Sequence, residues 1–132
     1  RALPADCGVV FHGFVNQAAM PAALQSSKAL AFTSESEPYG LIATEAAAAG
    51  LALIVADNIG CVGSTVLARP GVNALTYRSG DVKGLAAAMK TLLEDAQMLR
   101  RMQAASMEIA AGHTPDVAAQ VIENVVVTGG GQ

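Results

Sequence analysis

Tryptophan is absent from the 132 residues, and aromatic side chains make up only 4% of them. Packing must therefore rest on Ala, Val, Leu, Ile and Met, which suits helices lying close on a sheet. Charge is sparse too, at 14%, and this points to a large buried fraction or to a surface that another domain covers. With a net charge of −3 and no basic cluster, neither a nucleic-acid nor a membrane-surface role has electrostatic support. Two cysteines, Cys7 and Cys61, make no disulfide framework and lack metal-ligand spacing, so a reducing, cytoplasmic setting is the default and no metal is expected. No apolar run approaches the roughly 18–20 residues of a membrane span, and no signal-peptide pattern opens the chain. Its start, "RALPADCGVVFHGFV", drops at once into apolar sequence and reads as a piece cut from something longer.

What is present is an alternation of short apolar runs with helical patterns. The length suits one modest domain, expected over 1–128, with "GGGQ" (129–132) as a flexible tail. Strands are expected at "GVVFHGFV" (8–15), "ALAFTS" (29–34), "LALIVA" (51–56) and "NALTY" (73–77). Helices are expected at 19–27, at 41–49 with Gly50 at C′, at 81–95 capped by Asp81 with Leu85, Met89 and Leu92 on one face, and at 96–111. A last helix opens with Thr114 as N-cap and Pro115 at N1, its apolar positions being Val117, Val121, Ile122 and Val125. Strand–helix alternation with continuous apolar strands implies an α/β fold, a Rossmann-like parallel sheet flanked by helices. Ligands of such sheets bind beyond the carboxyl ends of the strands, against helix N-termini.

"SESEPYGLIATEAAAAG" (34–50) stands at such a junction, with Glu37 in a Pro-Tyr-Gly turn and Glu45 in the helix that follows. The amides of Tyr39, Gly40 and Leu41 are expected without intrahelical partners, so an anion such as a diphosphate can dock on them. Glu37 is expected beside that anion and Glu45 on the same crevice. Carboxylates repel phosphate but accept hydrogen bonds from hydroxyls, as a sugar on one side and a ribose on the other would offer. Taken singly, each glutamate has an ordinary reading as a solvated loop residue or a first-turn helix residue.

"EPYGLIATE" resembles the E-x7-E signature of retaining glycosyltransferases of family four, which have the GT-B fold. "VVFHGFV" is similar to that family's V-x-F-x-G-x-V block and "GLALIVAD" to its G-x-P-V-I-A-x-D strand. "GVNALTYRSGDVKGLAAAMKTLLED" resembles its G-x-N-G-x-L-x-x-x-G-D-x-x-x-L-A segment, and "HTPDVAAQVIENV" its final helix. The blocks run in order from about Val9 to Val127. The resemblance implies a partial C-terminal nucleotide-sugar-binding domain of a GT-B enzyme that transfers sugar with retention of anomeric configuration. It implies that Glu37 contacts the transferred sugar as the catalytic carboxylate. Tyr39, Gly40 and Leu41 would hold sugar and diphosphate by backbone groups, and Glu45 would hold the ribose. Gly13, Phe14 and Val15 would lie against the nucleobase. No cofactor and no metal is implied; the partner is the substrate, a UDP-, GDP- or ADP-sugar.

Several positions depart from the family. Lys28 and Thr33 stand where Asp and Pro are common, and Asn73-Ala74 replaces Asn-Gly. In "NIGCVGS" Gly60 is kept, but Gly63 and Ser64 offer no counterpart to an acidic residue. The family's N-terminal domain and the Arg/Lys segment that neutralises the diphosphate have no counterpart in these residues. A missing N-terminal GT-B domain is thus an expected partner, and self-association through exposed edges is expected of the piece alone, which should be inactive by itself. The parent is placed in the cytoplasm, with peripheral attachment to the inner membrane left open. Two other readings stay open: a non-catalytic or degenerate nucleotide-sugar-binding module, and a GT-B-like nucleotide-sugar epimerase. Among the remaining candidates, His12 reads as a strand-end residue near the cleft, His113 as structural and Cys61 as a small packing residue. Ser34, Ser36 and Ser64 lack a partnering histidine.

Overall fold

The computed structural model describes residues 7–127. In chain order its elements are α1 (Met20–Gln25), β1 (Ala29–Phe32), α2 (Leu41–Ala48), β2 (Ala52–Ala56), β3 (Ala74–Tyr77), α3 (Val82–Glu94), α4 (Ala96–Ala111) and α5 (Pro115–Val127). β2 is buried at every position, as a continuous apolar run must be when both faces of a sheet are covered. It pairs in parallel with β1, Ala29 opposite Ala52, and with β3, Leu53 opposite Ala74. The order β1-β2-β3 leaves the carboxyl ends of all three strands on one edge. Helices α2 and α4 lie against each other and against β2, while α3 lies against β3. This is the Rossmann-like parallel arrangement that the alternation of runs predicts.

Small side chains set the spacing of these layers. Ala43, Ala46 and Ala47 of α2 are buried, as are Leu53 and Val55 of β2, so helix and sheet meet with few bulky groups between them. Gly50 takes φ 79° at C′, the left-handed conformation that closes α2. The carboxylate of Asp81 accepts from the amides of Lys83 and Gly84 and caps α3. Asp95 does the same for α4 through Gln97 and Met98. Thr114 Oγ1 accepts from Val117 N at 3.3 Å, the expected start of α5.

Three expectations need correction. Residues 8–15 form no strand: the stretch makes no ladder with β1, β2 or β3, and Val10, Phe11 and Phe14 are exposed. An apolar run becomes a strand only where a neighbouring strand takes its amides and carbonyls. In α3, Leu92 is buried but Met89 is exposed, because the helix lies at the rim of the sheet. In α5, Val117, Val121 and Ile122 share one stripe yet all three are exposed, so periodicity marks a face that nothing among the described residues covers. The expected tail at 129–132 lies outside the described residues, as does the side chain of Val125.

Candidate functional site

The loop after β1 (33–40) and the loop after β2 (57–73) leave the same edge of the sheet and meet. Gly60 N donates to the Glu37 carbonyl at 2.9 Å, and Asn58 Nδ2 donates to the Glu35 carbonyl. The approach admits only glycine, since a Cβ at Gly60 would lie 1.8 Å from the Pro38 carbonyl oxygen. Gly40 is bound as closely: its φ is 69°, and an added Cβ would sit 2.7 Å from Cys61 Sγ. The Pro-Tyr-Gly turn is thus clamped onto the second loop by two glycines and one cysteine.

Cys61 is buried beneath this turn, in the packing role the sequence suggests. Burial pushes its thiol above the ordinary value of 9.0; a backbone hydrogen bond pulls the other way, and the negative charge of Glu37 adds to the rise. It is a poor nucleophile in consequence.

Glu37 does not stand aside from the helix amides. Its Oε1 accepts from Tyr39 N at 3.1 Å and Gly40 N at 3.3 Å. Of the three amides expected to be free, two are therefore engaged by the chain's own carboxylate. A glutamate placed two and three residues ahead of such donors can close the turn on itself, and the positive end of α2 favours it there. Leu41 N and Ile42 N keep no protein partner among the described residues.

Glu45 lies elsewhere than expected. One turn along α2, it lines a cavity of about 350 Å³ between α1 and α2, with Gln17, Met20, Leu24, Gln25 and Ala48. Glu37 is not part of that cavity. The two carboxylates are therefore apart: Glu37 folds back on the amides of Tyr39 and Gly40, and Glu45 borders the cavity between α1 and α2. A second cavity, about 220 Å³, opens at the N-terminus of α2 between Tyr39, Thr44, Gly60, Cys61 and His113.

The structure does not bring Gly13, Phe14 and Val15 to either cavity. Gly13 takes φ 65° and Phe14 is 93% exposed; Gln17 and Met20, slightly further on, line the space beside Glu45 instead. Nothing in their spacing marks them in the sequence. His12 is exposed within the strandless stretch. His113 Nδ1 lies 2.9 Å from the Ile109 carbonyl and closes α4, as a structural histidine would, while also bordering the smaller cavity. A further polar centre is formed by the asparagine of the block that resembles G-x-N-G-x-L. The side chain of Asn73 is wholly buried, with Oδ1 accepting from Arg69 N at 2.8 Å and Nδ2 donating to the Leu67 carbonyl and Ser106 Oγ. It anchors the second loop to α4. Among the described residues no group of three His, Cys, Asp or Glu converges as a metal site, and no helix is long and apolar enough to cross a membrane.

Comparison with known proteins adds an independent line. The family model described as glycosyl transferases group 1 matches residues 3–108. Two glycogen synthases of Mycobacterium tuberculosis, from strains CDC 1551 / Oshkosh and ATCC 25618 / H37Rv, are each 38% identical over 100 residues. The match takes in 75% of this chain and 23% of each relative, so the chain spans less than a quarter of their length. The crystal structure of Anabaena Alr3699/HepE in complex with UDP superposes with a TM-score of 0.70 at 25% identity, over 85% of this chain and 30% of that one.

Proposed function

Because the chain belongs to the glycosyl transferases group 1 family, we propose that it binds a nucleotide-diphosphate sugar and supplies the donor half of a retaining sugar-transfer reaction. The observation that carries this reading is the clamped turn Glu37–Leu41. It holds backbone donors, a helix terminus and a carboxylate at the carboxyl edge of a parallel sheet, with a second carboxylate on a nucleoside-sized cavity alongside.

In this reading the diphosphate lies over the start of α2, where the helix terminus and free amides offset its charge without a metal. Glu45 accepts from ribose hydroxyls in the cavity between α1 and α2. Glu37 accepts from hydroxyls of the transferred sugar, whose anomeric carbon gains positive charge as the bond to the diphosphate breaks. That the Anabaena protein of like fold is in complex with UDP supports a nucleotide as the kind of ligand bound.

Steady-state kinetics of the complete enzyme test the division of labour. Ribose changes little during the reaction, so Glu45→Gln removes uniform binding: donor KM rises and kcat is largely kept. Glu37→Gln keeps shape and removes charge, and kcat falls by about 10²-fold or more. Equal defects in both variants, or none, would refute the assignment. A non-catalytic donor-binding module is the second reading, favoured by Gly63 and Ser64 standing where the family has an acidic residue. It predicts donor binding with no turnover at all.

A further inference from the structure

We infer that two copies of this chain pair by exchanging strands, the strip Val9–His12 of each lying along the open edge of β1 in the other. β1 is an outer strand of the sheet, and only one of its sides is used. Ala52 N donates to the Lys28 carbonyl, with Ala29 opposite Ala52, so the parallel ladder runs through Lys28, Leu30 and Phe32. The amides and carbonyls of Ala29 and Ala31 point the other way and have no partner among the described residues. Beside them, on the face that Ala31 shares with Ile54, lies an apolar cavity of about 170 Å³ bordered by Met89, Leu92 and Leu93. An edge of this kind takes an added strand through its main chain, and the cavity takes that strand's alternate side chains.

The same chain carries strand-like sequence that has no partner. Val9, Val10 and Phe11 are all exposed. Gly8 and Gly13, with φ 67° and 65°, set Val9–His12 off as four residues, the length of β1. Alternation puts Val9 and Phe11 on one face, and the small Ala29 and Ala31 leave room for Phe11 beside the exposed Met89 and Leu93. The strip does not reach β1 of its own chain, whereas a second copy offers the same edge. Phe11 buries about 150–250 Å². With the valines and the groove that they cover, each contact comes to roughly 600 Å², and mutual exchange doubles this to roughly 1,200 Å², the lower limit of a specific interface. One contact alone falls short, which favours a closed pair of copies over copies joined in a row. The edge runs along β1 rather than across its carboxyl end, so the pairing is independent of the donor-binding reading.

Two variants separate the halves of the contact. Ala31→Pro removes an outward amide and leaves the ladder with β2 intact, so it blocks the edge and keeps the strip. Phe11→Asp spoils the strip and keeps the edge. Far-UV circular dichroism reports folding, and Ala31→Glu, which places a charge on the edge, replaces the proline variant if that one is unfolded. In sedimentation the wild type is expected to form a dimer of the 13.3 kDa chain, and each variant alone to dissociate at least about tenfold more readily, since neither has both halves. Mixing restores one contact. Unlabelled Ala31→Pro should therefore shift the Ala29 and Ala31 amide signals of 15N-labelled Phe11→Asp, whereas unlabelled Phe11→Asp should not. A wild type that stays monomeric to about millimolar concentration, with or without its own strip on β1, would overturn the exchange. So would a Phe11→Asp dimer, which would mean that β1 pairs with β1 or that apolar surface associates without register, and so would a mixture that leaves the two amides unshifted.

Discussion

Gly40→Ala tests the clamp at its tightest point. Two costs can be separated. Alanine at φ 69° is left-handed, a conformation that costs an L-residue about 1–2 kcal/mol. The new Cβ would also lie 2.7 Å from Cys61 Sγ and 3.2 Å from its Cβ, an overpacking that costs roughly 1–3 kcal/mol in a buried site. The sum, roughly 2–5 kcal/mol, should lower the melting temperature by roughly 6–20 °C for a domain of this size. A double-mutant cycle in urea divides the two. Cys61→Ala removes Sγ but leaves the backbone conformation alone, so Gly40→Ala in that background should retain the conformational cost and only the milder contact with the Cβ of residue 61 at 3.2 Å. The expected coupling between the sites is about 1 kcal/mol or more. Additivity within about 0.5 kcal/mol would show that the cysteine does not press on the turn, and the clamp would be refuted.

Other outcomes can be checked alongside. Asn73→Ala should cost about 2–4 kcal/mol in urea unfolding, because it strands the buried Leu67 carbonyl and Ser106 Oγ as well as Arg69 N; a loss below about 1 kcal/mol would mean that water takes over these bonds. Burial holds the Cys61 thiol and the Tyr77 phenol above their ordinary values of 9.0 and 10.0. The folded state therefore keeps these protons longer than the unfolded one, and the stability this provides is complete below pH 9.0 and lost as pH rises through the raised values. Cys61→Ala should make the alkaline decline shallower, and an unchanged alkaline limb would count against this. Val10, Phe11, Phe14, Leu93 and Ile122 are all exposed, and the chain alone should self-associate as concentration rises; a single monomeric species in sedimentation from micromolar to millimolar would contradict that.

The parts legible in the sequence were those fixed by local chemistry. β2 is an unbroken apolar run bounded by Gly50 and Asp57, and no other element suits it. Asp81, Gly50 and Thr114 each announce a helix end through a side chain or a backbone conformation that acts within three residues. Residues 8–15 read equally well as a strand, yet strand formation depends on a neighbour that no local pattern contains. The site divides along the same line. Glu37 and Glu45 stand out through their spacing, but which way each carboxylate turns is decided by the competition between solvent, hydroxyls and nearby amides. The self-closing turn of Glu37 is local in principle, since donor and acceptor are two and three residues apart. It escaped notice because the sequence resemblance casts Glu37 as a hydroxyl acceptor only. Gln17 and Met20 matter through the cavity they share with α2 and carry no signature of their own; Asn73 stands in a block that resembles the family's, but its bond to Ser106 of α4 joins residues far apart along the chain.

The bare stripe on α5 has a kinetic meaning. A helix of 13 residues whose apolar stripe is uncovered among the described residues is marginal in water, so its amides should open and exchange hydrogen with solvent by local fraying rather than through unfolding of the sheet. Exchange in β2, by contrast, should require the whole domain to open. Any surface that settled over Val117, Val121 and Ile122 would slow exchange in α5 and leave β2 as it was. The exchange rates of the last helix thus measure its surroundings, and those of the central strand measure the fold.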